Sequence, residues 1–486
     1  MRPKLRFLTD ELIDEIVCEA REVLCVLGVT VHNDKVLSLL ADHGAHVDKS
    51  KRHVIFTQEM VDKALKSASG AFKLYDVLGN QTHDFSGDNV YFNPGSSAVY
   101  VLDSASGEIR KPLTADYVRY ARLMSRLQHI AAQSTAFVPS DVHEKVQDSY
   151  RLYLSLLHCE KPVVTGTFAM ESFGVMKDMQ LAVRGSAEEL RAKPLTVFSA
   201  CPTSPLKWSD VTSQTLLDCA EYGIPVEYIA MPLLGFMAPV TIVGSLVQHT
   251  AETLSGLVIS QLARPGTPVL YGGSPAAFDV RYETTPMGAI ETQMTDCAYN
   301  EIGKRLGLPT QAYIGMSDAK QLDAQAGLET SMGATLAALA GINSVSGPGM
   351  LDFENCQSLE KLVVDNEICG LTLRMVRGVE PREDFPSIPR FEELMREGHL
   401  LISKHTRKHL KDEHYFPGPV IDRANGARWK EEGGLSLLER ARREVEKHLK
   451  ACAPSRLPET IKKELARRME AEARVHGMDK LPDGAA

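Results

Sequence analysis

Eight short apolar runs alternate with helix-forming stretches along most of this 486-residue chain, and this alternation limits the possible folds more than any other feature. The runs start at intervals of roughly 30 to 45 residues, the length of a strand–loop–helix–loop unit. The predicted strands span 90–92, 130–137, 162–166, 195–200, 225–231, 268–271, 309–314 and 342–346. Helical spacing of apolar residues predicts helices at 115–127, 146–157, 216–222, 250–262, 291–305 and 331–340.

Eight alternating units in one run favour an α/β fold of the closed (β/α)8 TIM-barrel type over an open doubly wound sheet. An open sheet usually carries a glycine-rich phosphate loop after its first strand. Here the first strand leads into Asn93-Pro94-Gly95-Ser96-Ser97, which is not such a loop. We therefore expect a barrel at 87–378, an N-terminal helical and hairpin segment at 1–86, and a C-terminal helical extension at 379–486.

Composition narrows the class of protein. The net charge is −9, so nucleic acid and anionic membrane surfaces are not expected partners. The nine cysteines are odd in number and none forms a C-x-x-C pair, which predicts reduced thiols in a cytoplasmic protein without a metal site. The uncharged stretch 228–251 is long enough to span a bilayer, but Pro232 and Pro239 interrupt it. We interpret it as a strand, a loop and the start of a helix.

Several motifs in the second half of the chain resemble one known family. They are SDAK at 317–320, DAQAGLE at 323–329, GINSVSGPGMLD at 341–352 and SLEKLVVDNE at 358–367, with Met231-Pro232 and Tyr271-Gly272-Gly273 upstream. None is specific alone, but in this order and spacing the chain resembles the trimethylamine methyltransferase family from about residue 5 to about residue 450.

The resemblance implies a TIM barrel that moves a methyl group from a methylated amine to the cobalt(I) of a corrinoid. The corrinoid is carried by a separate small protein, so no permanently bound cofactor is expected. Trimethylamine-specific members carry pyrrolysine, whereas this sequence contains only the twenty standard residues. The chain therefore resembles the non-pyrrolysine branch, whose substrates are quaternary amines such as glycine betaine, carnitine or proline betaine.

The chemistry of a quaternary amine makes few demands on acid–base groups. The nitrogen is already positive and departs as a neutral tertiary amine, so the enzyme needs to align the methyl group and exclude water. No catalytic residue is assigned from the sequence, which offers no His–Asp or carboxylate pair that can be placed at a strand end.

Candidate substrate-binding residues follow from the rule that barrel chemistry lies at the C-terminal ends of the strands. Aromatic faces recognise quaternary ammonium groups, and five aromatic residues lie in or near predicted strand ends. They are Phe92, Phe137, Phe168, Tyr271 and Tyr313. Core packing is the alternative for each, and because side chains alternate along a strand, not all of them can face inward.

Polar candidates lie in the loops at the same end of the barrel. Asn93 could bond a substrate carboxylate or simply form a turn, and Gly272 would face the mouth. After the seventh strand, Asp318, Lys320 and Gln325 stand close together. Lys320 could pair with a betaine carboxylate, with Asp318 orienting it, whereas helix capping by Ser317, Asp318 or Asp323 is the alternative.

Two other functions remain open at this point. One is a Schiff-base lyase or aldolase that uses Lys320 as its amine. The other is a non-catalytic barrel that binds a betaine. A homo-oligomer is also left open, because barrels with helical arms often pair.

Overall fold

The computed structural model describes residues 2–103, 105–482 and 484, and the eight predicted strands form one closed barrel. All neighbouring strands run parallel. A parallel bridge between Tyr271 and Thr310 joins the sixth strand to the seventh, and one between Ala98 and Phe137 continues the contact between the first and second. The strands are β1 (Tyr91–Asn93), β2 (Gln133–Ser134), β3 (Val163–Gly166), β4 (Thr196–Ala200), β5 (Val226–Tyr228), β6 (Val269–Leu270), β7 (Gln311–Tyr313) and β8 (Ser344–Ser346).

The N-terminal segment packs on the barrel and closes one end of it. It contains α1 (Asp10–Val26), α2 (Asp34–Asp42) and α3 (Gln58–Ser67), and the Thr57 side chain caps α3. The strands Val29–Val31, His46–Asp48 and His53–Ile55 form a small sheet with Lys207–Trp208. The predicted hairpin is present as Lys73–Tyr75 and Gln81–Asp84. Its Leu74 and Phe85 pack with Val197 and Leu270 inside the barrel, so the hairpin plugs the N-terminal end of the strands.

Helices cover the outside of the barrel. They are α4 (Thr114–Met124), α5 (Gln147–His158), α6 (Ser172–Arg184), α7 (Ala187–Ala192), α8 (Asp210–Tyr222), α9 (Ile242–Ala263), α10 (Ile290–Arg305), α11 (Ala324–Ala340) and α12 (Leu359–Val376). Stretch 228–251 is the end of β5, a loop and the first turns of α9, as predicted. Within the described ranges, no helix is long and apolar enough to cross a membrane. All nine cysteines are free thiols, as predicted.

Short strands at the C-terminal end of the barrel build its mouth. Met350–Leu351 and Cys356–Gln357 form a hairpin after β8, and this hairpin pairs with Tyr100–Leu102 and Ile109–Arg110. Leu233–Leu234 pairs with Ala276–Ala277 between the loops that follow β5 and β6. The C-terminal extension then contains α13 (Ile388–Glu397), α14 (Lys404–Glu413), α15 (Gly426–Glu431), α16 (Leu437–Lys450) and α17 (Glu459–Val475). Of these, α16 packs on α4 and α12, and α17 packs on α5 and α6.

Candidate active site at the barrel mouth

Glu227 is a carboxylate in the middle of an otherwise apolar strand, and its side chain points into the barrel. The ring of the next residue, Tyr228, packs against Gly256 of α9 outside the barrel, so alternation along the strand turns Glu227 inward. One carboxyl oxygen accepts a hydrogen bond from the Ser199 hydroxyl at 2.6 Å, and the other has no partner. Burial raises the pKa of Glu227 to about 7.

A second carboxyl enters the mouth from the hairpin after β8. One oxygen of Glu354 accepts a hydrogen bond from the Ser96 backbone amide at 3.1 Å. Burial raises its pKa to about 8, and the nearby charge of Glu227 adds to the effect. In the part of the chain that the structure describes, no cationic side chain lowers the pKa of either carboxyl. The two groups therefore make a desolvated acidic site without a counter-ion.

Tyr313 supplies an aromatic face beside these carboxyls. Its hydroxyl lies 2.9 Å from the Ser96 hydroxyl, and the residue is buried. Burial raises the pKa of Tyr313, and Glu354 and Glu227 raise it further. The same surroundings raise the pKa of the Cys201 thiol to about 12, so this cysteine stays neutral. The arrangement of carboxyls, hydroxyls and one ring suits a cation.

Gln311 lies two residues before Tyr313 on β7, so both side chains are on the inward face of the strand. Its side-chain oxygen accepts a hydrogen bond from the Gly273 backbone amide at 3.2 Å, while its side-chain nitrogen has no partner. Gly272 is needed for this approach, because a Cβ there would collide with the Gln311 side-chain oxygen and would lie 2.9 Å from the Tyr228 carbonyl oxygen. Glu227 and Gln311 thus each leave one buried polar atom unsatisfied, as expected where a ligand completes the site.

Lys320 fastens the turn that carries Glu354. Residues 352–354 have φ values of 52°, 56° and 70°, an unusual left-handed run for residues other than glycine. The Lys320 ammonium lies 3.8 Å from the centre of the Phe353 ring and 3.3 Å from an Asp352 carboxyl oxygen. It also donates to the Asp318 carbonyl oxygen at 2.8 Å. These contacts hold the turn against the loop after β7.

The motif after β7 ties neighbouring loops together. Asp318 accepts from the amides of Met287 and Gly288 at 2.9 and 2.8 Å, which attaches it to the loop after β6. Burial raises the pKa of Asp318 to about 6. Gln325 donates to Glu329, which in turn accepts from the Ser317 hydroxyl. Asp323 caps α11, which is the capping role that the sequence left open.

Three of the predicted aromatic residues do not face the mouth. Phe137 packs against Tyr117 and Tyr120 of α4. The Tyr271 hydroxyl lies 2.8 Å from the Thr250 hydroxyl of α9. Phe92 is buried between the inward-facing residues of β1, so it faces outward. We expected aromatic residues at the strand ends to bind the ammonium group. These strands are buried on both faces, and their register turns these three rings away from the mouth.

The other predicted residues lie at or near the mouth. Asn93 faces inward, but it donates to the Ser346 hydroxyl at 2.7 Å and so joins β1 to β8. Phe168 is 67% exposed at the rim, where the Arg151 guanidinium lies 5.3 Å from its ring centre. Glu227, Glu354 and Gln311 were not predicted. A charged residue inside a buried strand was a signal for Glu227, whereas nothing local marked Glu354.

Comparison with known proteins agrees with this architecture. The family model described as trimethylamine methyltransferase (MTTB) matches residues 1–474. A trimethylamine methyltransferase of Methanosarcina barkeri is 32% identical over 91% of this chain and 90% of its own length. A glycine betaine methyltransferase of Desulfitobacterium hafniense is 29% identical over 88% of this chain and 89% of its own length.

A solved structure supports the fold. The monomethylamine methyltransferase of Methanosarcina barkeri superposes with a TM-score of 0.52 at 11% identity, covering 93% of this chain and 89% of that one. The sequence relatives that match over nearly the whole chain are named as methyltransferases. This chain is therefore a methyltransferase that belongs to the trimethylamine methyltransferase family.

Proposed function

We propose that this methyltransferase takes a methyl group from a quaternary amine, such as glycine betaine or a related betaine, and transfers it to the cobalt(I) of a separate corrinoid protein. The desolvated pair Glu227 and Glu354 carries the proposal, because two carboxyls without a counter-ion favour a cationic ligand. Tyr313 offers the aromatic face that quaternary ammonium groups prefer.

The chemistry needs little from the protein beyond placement. The carbon–nitrogen bond breaks with its electron pair staying on nitrogen, and the corrinoid cobalt(I) supplies the pair for the new bond. No proton moves in this step, so it needs no general acid or base. Glu227, Glu354 and Tyr313 hold the ammonium, while Gln311 offers a free amide donor to polar atoms of the substrate.

The rim of the mouth supports docking of a corrinoid-carrying partner. Exposed apolar side chains stand on the loops after β3, β5 and β6: Phe168, Met231, Phe236, Met237, Val240, Val280 and Tyr282. A concentration of exposed apolar groups around a cleft is typical of a surface that binds a protein or a flat apolar ligand. No corrinoid site within this chain is required.

The surroundings of Lys320 weaken the alternative in which this residue is a Schiff-base amine. Such an amine is normally desolvated or placed beside another cation so that it loses its proton. Lys320 is instead 54% exposed and paired with Asp352.

The experiment that tests the proposal combines the pure protein, a reduced corrinoid protein and glycine betaine. We expect methylcobalt absorbance to appear together with one equivalent of dimethylglycine, and trimethylamine to give no product. Carnitine and proline betaine define the rest of the substrate panel. Tight betaine binding without methyl transfer to any corrinoid protein would instead favour the non-catalytic barrel.

A further inference from the structure

A buried ion pair lies within α12, outside the candidate site. The Lys361 ammonium is 2.5 Å from an Asp365 carboxyl oxygen, and the two side chains are 0% and 1% exposed. They stand four residues apart, so both are on the face of the helix that packs on α11. There the ammonium also donates to the Thr330 hydroxyl at 2.8 Å. Both residues belong to SLEKLVVDNE at 358–367, one of the motifs by which the chain resembles its family.

The fold alone does not explain why this position carries two charges. Taking an ammonium and a carboxylate out of water costs free energy, and well-packed apolar side chains of similar size often give an equally stable protein. Removal of one partner alone is costly, because it leaves the other charge buried and unpaired. The reason for the pair is therefore sought in what else it contacts.

A further contact joins the pair to the hairpin at 350–357. The oxygen of Asp365 that binds Lys361 also accepts a hydrogen bond from the Gly349 backbone amide at 2.7 Å. The Gly349 carbonyl oxygen accepts from the Ser358 amide at 3.0 Å, which closes the base of the hairpin. Gly349 has a φ of 87°, a conformation that favours glycine. Because this residue has no side chain to pack, its backbone hydrogen bonds hold it in place.

The hairpin carries Glu354 into the mouth, and its own strands are short. Met350–Leu351 is the edge strand of its sheet and pairs with Cys356–Gln357 on one side. A pair of strands of this length is marginal by itself, so the place of the turn depends on what holds the hairpin. Lys320 holds the turn, and Asp365 holds the base where the edge strand begins.

We propose that Lys361 and Asp365 are positioning residues for Glu354. They fix the base of the hairpin through the Gly349 amide, and the bond to Thr330 anchors the pair to α11. This inference rests on the proposed role of Glu354 in holding the substrate ammonium. It adds that a contact in the second turn of α12, away from the substrate, controls how well the cation is bound.

Two double variants isolate the hydrogen bond to Gly349. Lys361→Met with Asp365→Leu removes both charges and the acceptor, whereas Lys361→Met with Asp365→Asn removes both charges and keeps an acceptor oxygen. Neither leaves a buried charge, so both should fold, with similar circular dichroism and melting temperatures. We expect the leucine variant to exchange hydrogen faster at 350–357 and to raise KM for the quaternary amine about fivefold, with kcat changed less. The asparagine variant should stay within about twofold of the unaltered protein.

A double-mutant cycle shows whether the effect passes through Glu354. In a Glu354→Gln background the leucine variant should cause no further rise in KM, because the carboxyl that the hairpin places is already gone. Proton release on cation binding gives a second readout. It should fall in the leucine variant, which loses the contribution of Glu354 with its pKa of about 8 and keeps that of Glu227 with its pKa of about 7.

The outcomes separate this inference from the proposed function. If Glu354→Gln leaves KM unchanged, both are wrong. If Glu354→Gln raises KM but the leucine variant matches the asparagine variant in KM and in exchange at 350–357, only the role of the ion pair is overturned. A rise in KM that is equal with and without the Glu354 carboxyl also overturns it, because the effect is then a general loss of structure.

A third variant leaves both charges in place and covers the case in which the leucine variant does not fold. Thr330→Val removes the acceptor of Lys361 on α11 at nearly constant side-chain size. We expect faster hydrogen exchange at 350–357 and a KM raised about twofold, since the pair is held less firmly. A folded Thr330→Val protein with unchanged exchange and KM would contradict the positioning role.

Discussion

At the scale of single residues, the site is defined by two buried carboxyls that have hydrogen-bond donors but no cationic partner. Glu227 is fully buried and has one unpaired oxygen, and Glu354 approaches it from a hairpin more than a hundred residues away. Burying a carboxyl without a counter-ion is unfavourable for its charged form. A site that keeps two such groups favours a ligand that brings its own positive charge.

Removing one of these charges should affect substrate binding more than the chemical step. We expect Glu227→Gln to raise KM for the quaternary amine about tenfold, the equivalent of about 1.4 kcal/mol. The change in kcat should be smaller, because the positive charge on nitrogen is lost as the bond breaks and its stabilisation belongs mainly to the bound substrate. Steady-state kinetics with the corrinoid protein measure both constants.

Exposed Glu291 provides the matched control, and Glu291→Gln should leave both constants unchanged. An equal loss of kcat and kcat/KM in Glu227→Gln would contradict a role in binding the ground state. It would place the carboxyl in the transition state instead.

Affinity for the cation should rise with pH. The empty site holds its protons up to about pH 7 at Glu227 and about pH 8 at Glu354, above the ordinary value of 4.5. A bound cation favours the ionised form and lowers both pKa values, so binding releases protons and strengthens as pH rises from 6 to 9. Titration calorimetry in two buffers of different ionisation enthalpy measures the protons released.

A neutral analogue in which carbon replaces the nitrogen should bind without this pH dependence. Cation affinity that is constant or falls between pH 6 and pH 9 would show that neither carboxyl faces the substrate.

At the scale of elements, the hairpin 350–357 is the part of the mouth that sequence patterns could not reveal. Its turn is left-handed at three successive residues and is held by Lys320 from another loop. Backbone in sparsely populated conformations persists when surrounding contacts determine it. The motif at 317–320 marks a contact between loops, so the family resemblance located an important element whose geometry it did not define.

Loss of the Lys320 contacts should loosen this hairpin. We expect Lys320→Met to speed hydrogen exchange at 350–357 and to raise KM several-fold, because Glu354 is no longer held in place. The side chain is 54% exposed, so the melting temperature should hardly change. Lys320→Arg keeps both the ion pair and the ring contact and should be close to the unaltered protein.

The arginine variant also separates the two views of this residue. A Schiff-base amine cannot be replaced by a guanidinium, so inactivity of Lys320→Arg with normal exchange at 350–357 would contradict the positioning role.

At the scale of the whole molecule, stability and chemistry lie at opposite ends of the barrel. The N-terminal hairpin fills one end with Leu74 and Phe85, which pack on Val197 and Leu270 of the barrel interior. The polar groups of the candidate site occupy the other end. This division is usual for the fold, in which the C-terminal ends of the strands carry the active site.

A cavity in the plug should therefore cost stability and leave substrate binding intact. We expect Phe85→Ala to lower the free energy of unfolding by about 3–5 kcal/mol, since it removes a buried ring from a closed space. KM should stay within about twofold. Thermal and urea unfolding measure the first, and kinetics the second, with Val475→Ala at an exposed site of α17 as control. A large rise in KM would mean that the plug shapes the mouth.

The sequence by itself determined the barrel. Each of the eight strands lies at a predicted apolar run, and the uncharged stretch 228–251 forms the predicted strand, loop and helix. These features are local, because the alternation of apolar runs with helical spacing records which segment is a strand and which is a helix. The order of the motifs also indicated the family before any contact was known.

Only the tertiary structure decided which side chains meet at the mouth. Strands of two to five residues buried on both faces carry no polar alternation, so nothing local distinguished inward Tyr313 from outward Phe137 and Tyr271. Glu354 joins Glu227 because a hairpin folds back over the barrel, a contact between residues distant in the chain. Strand facing and such long-range contacts depend on register and packing, which a linear pattern does not contain.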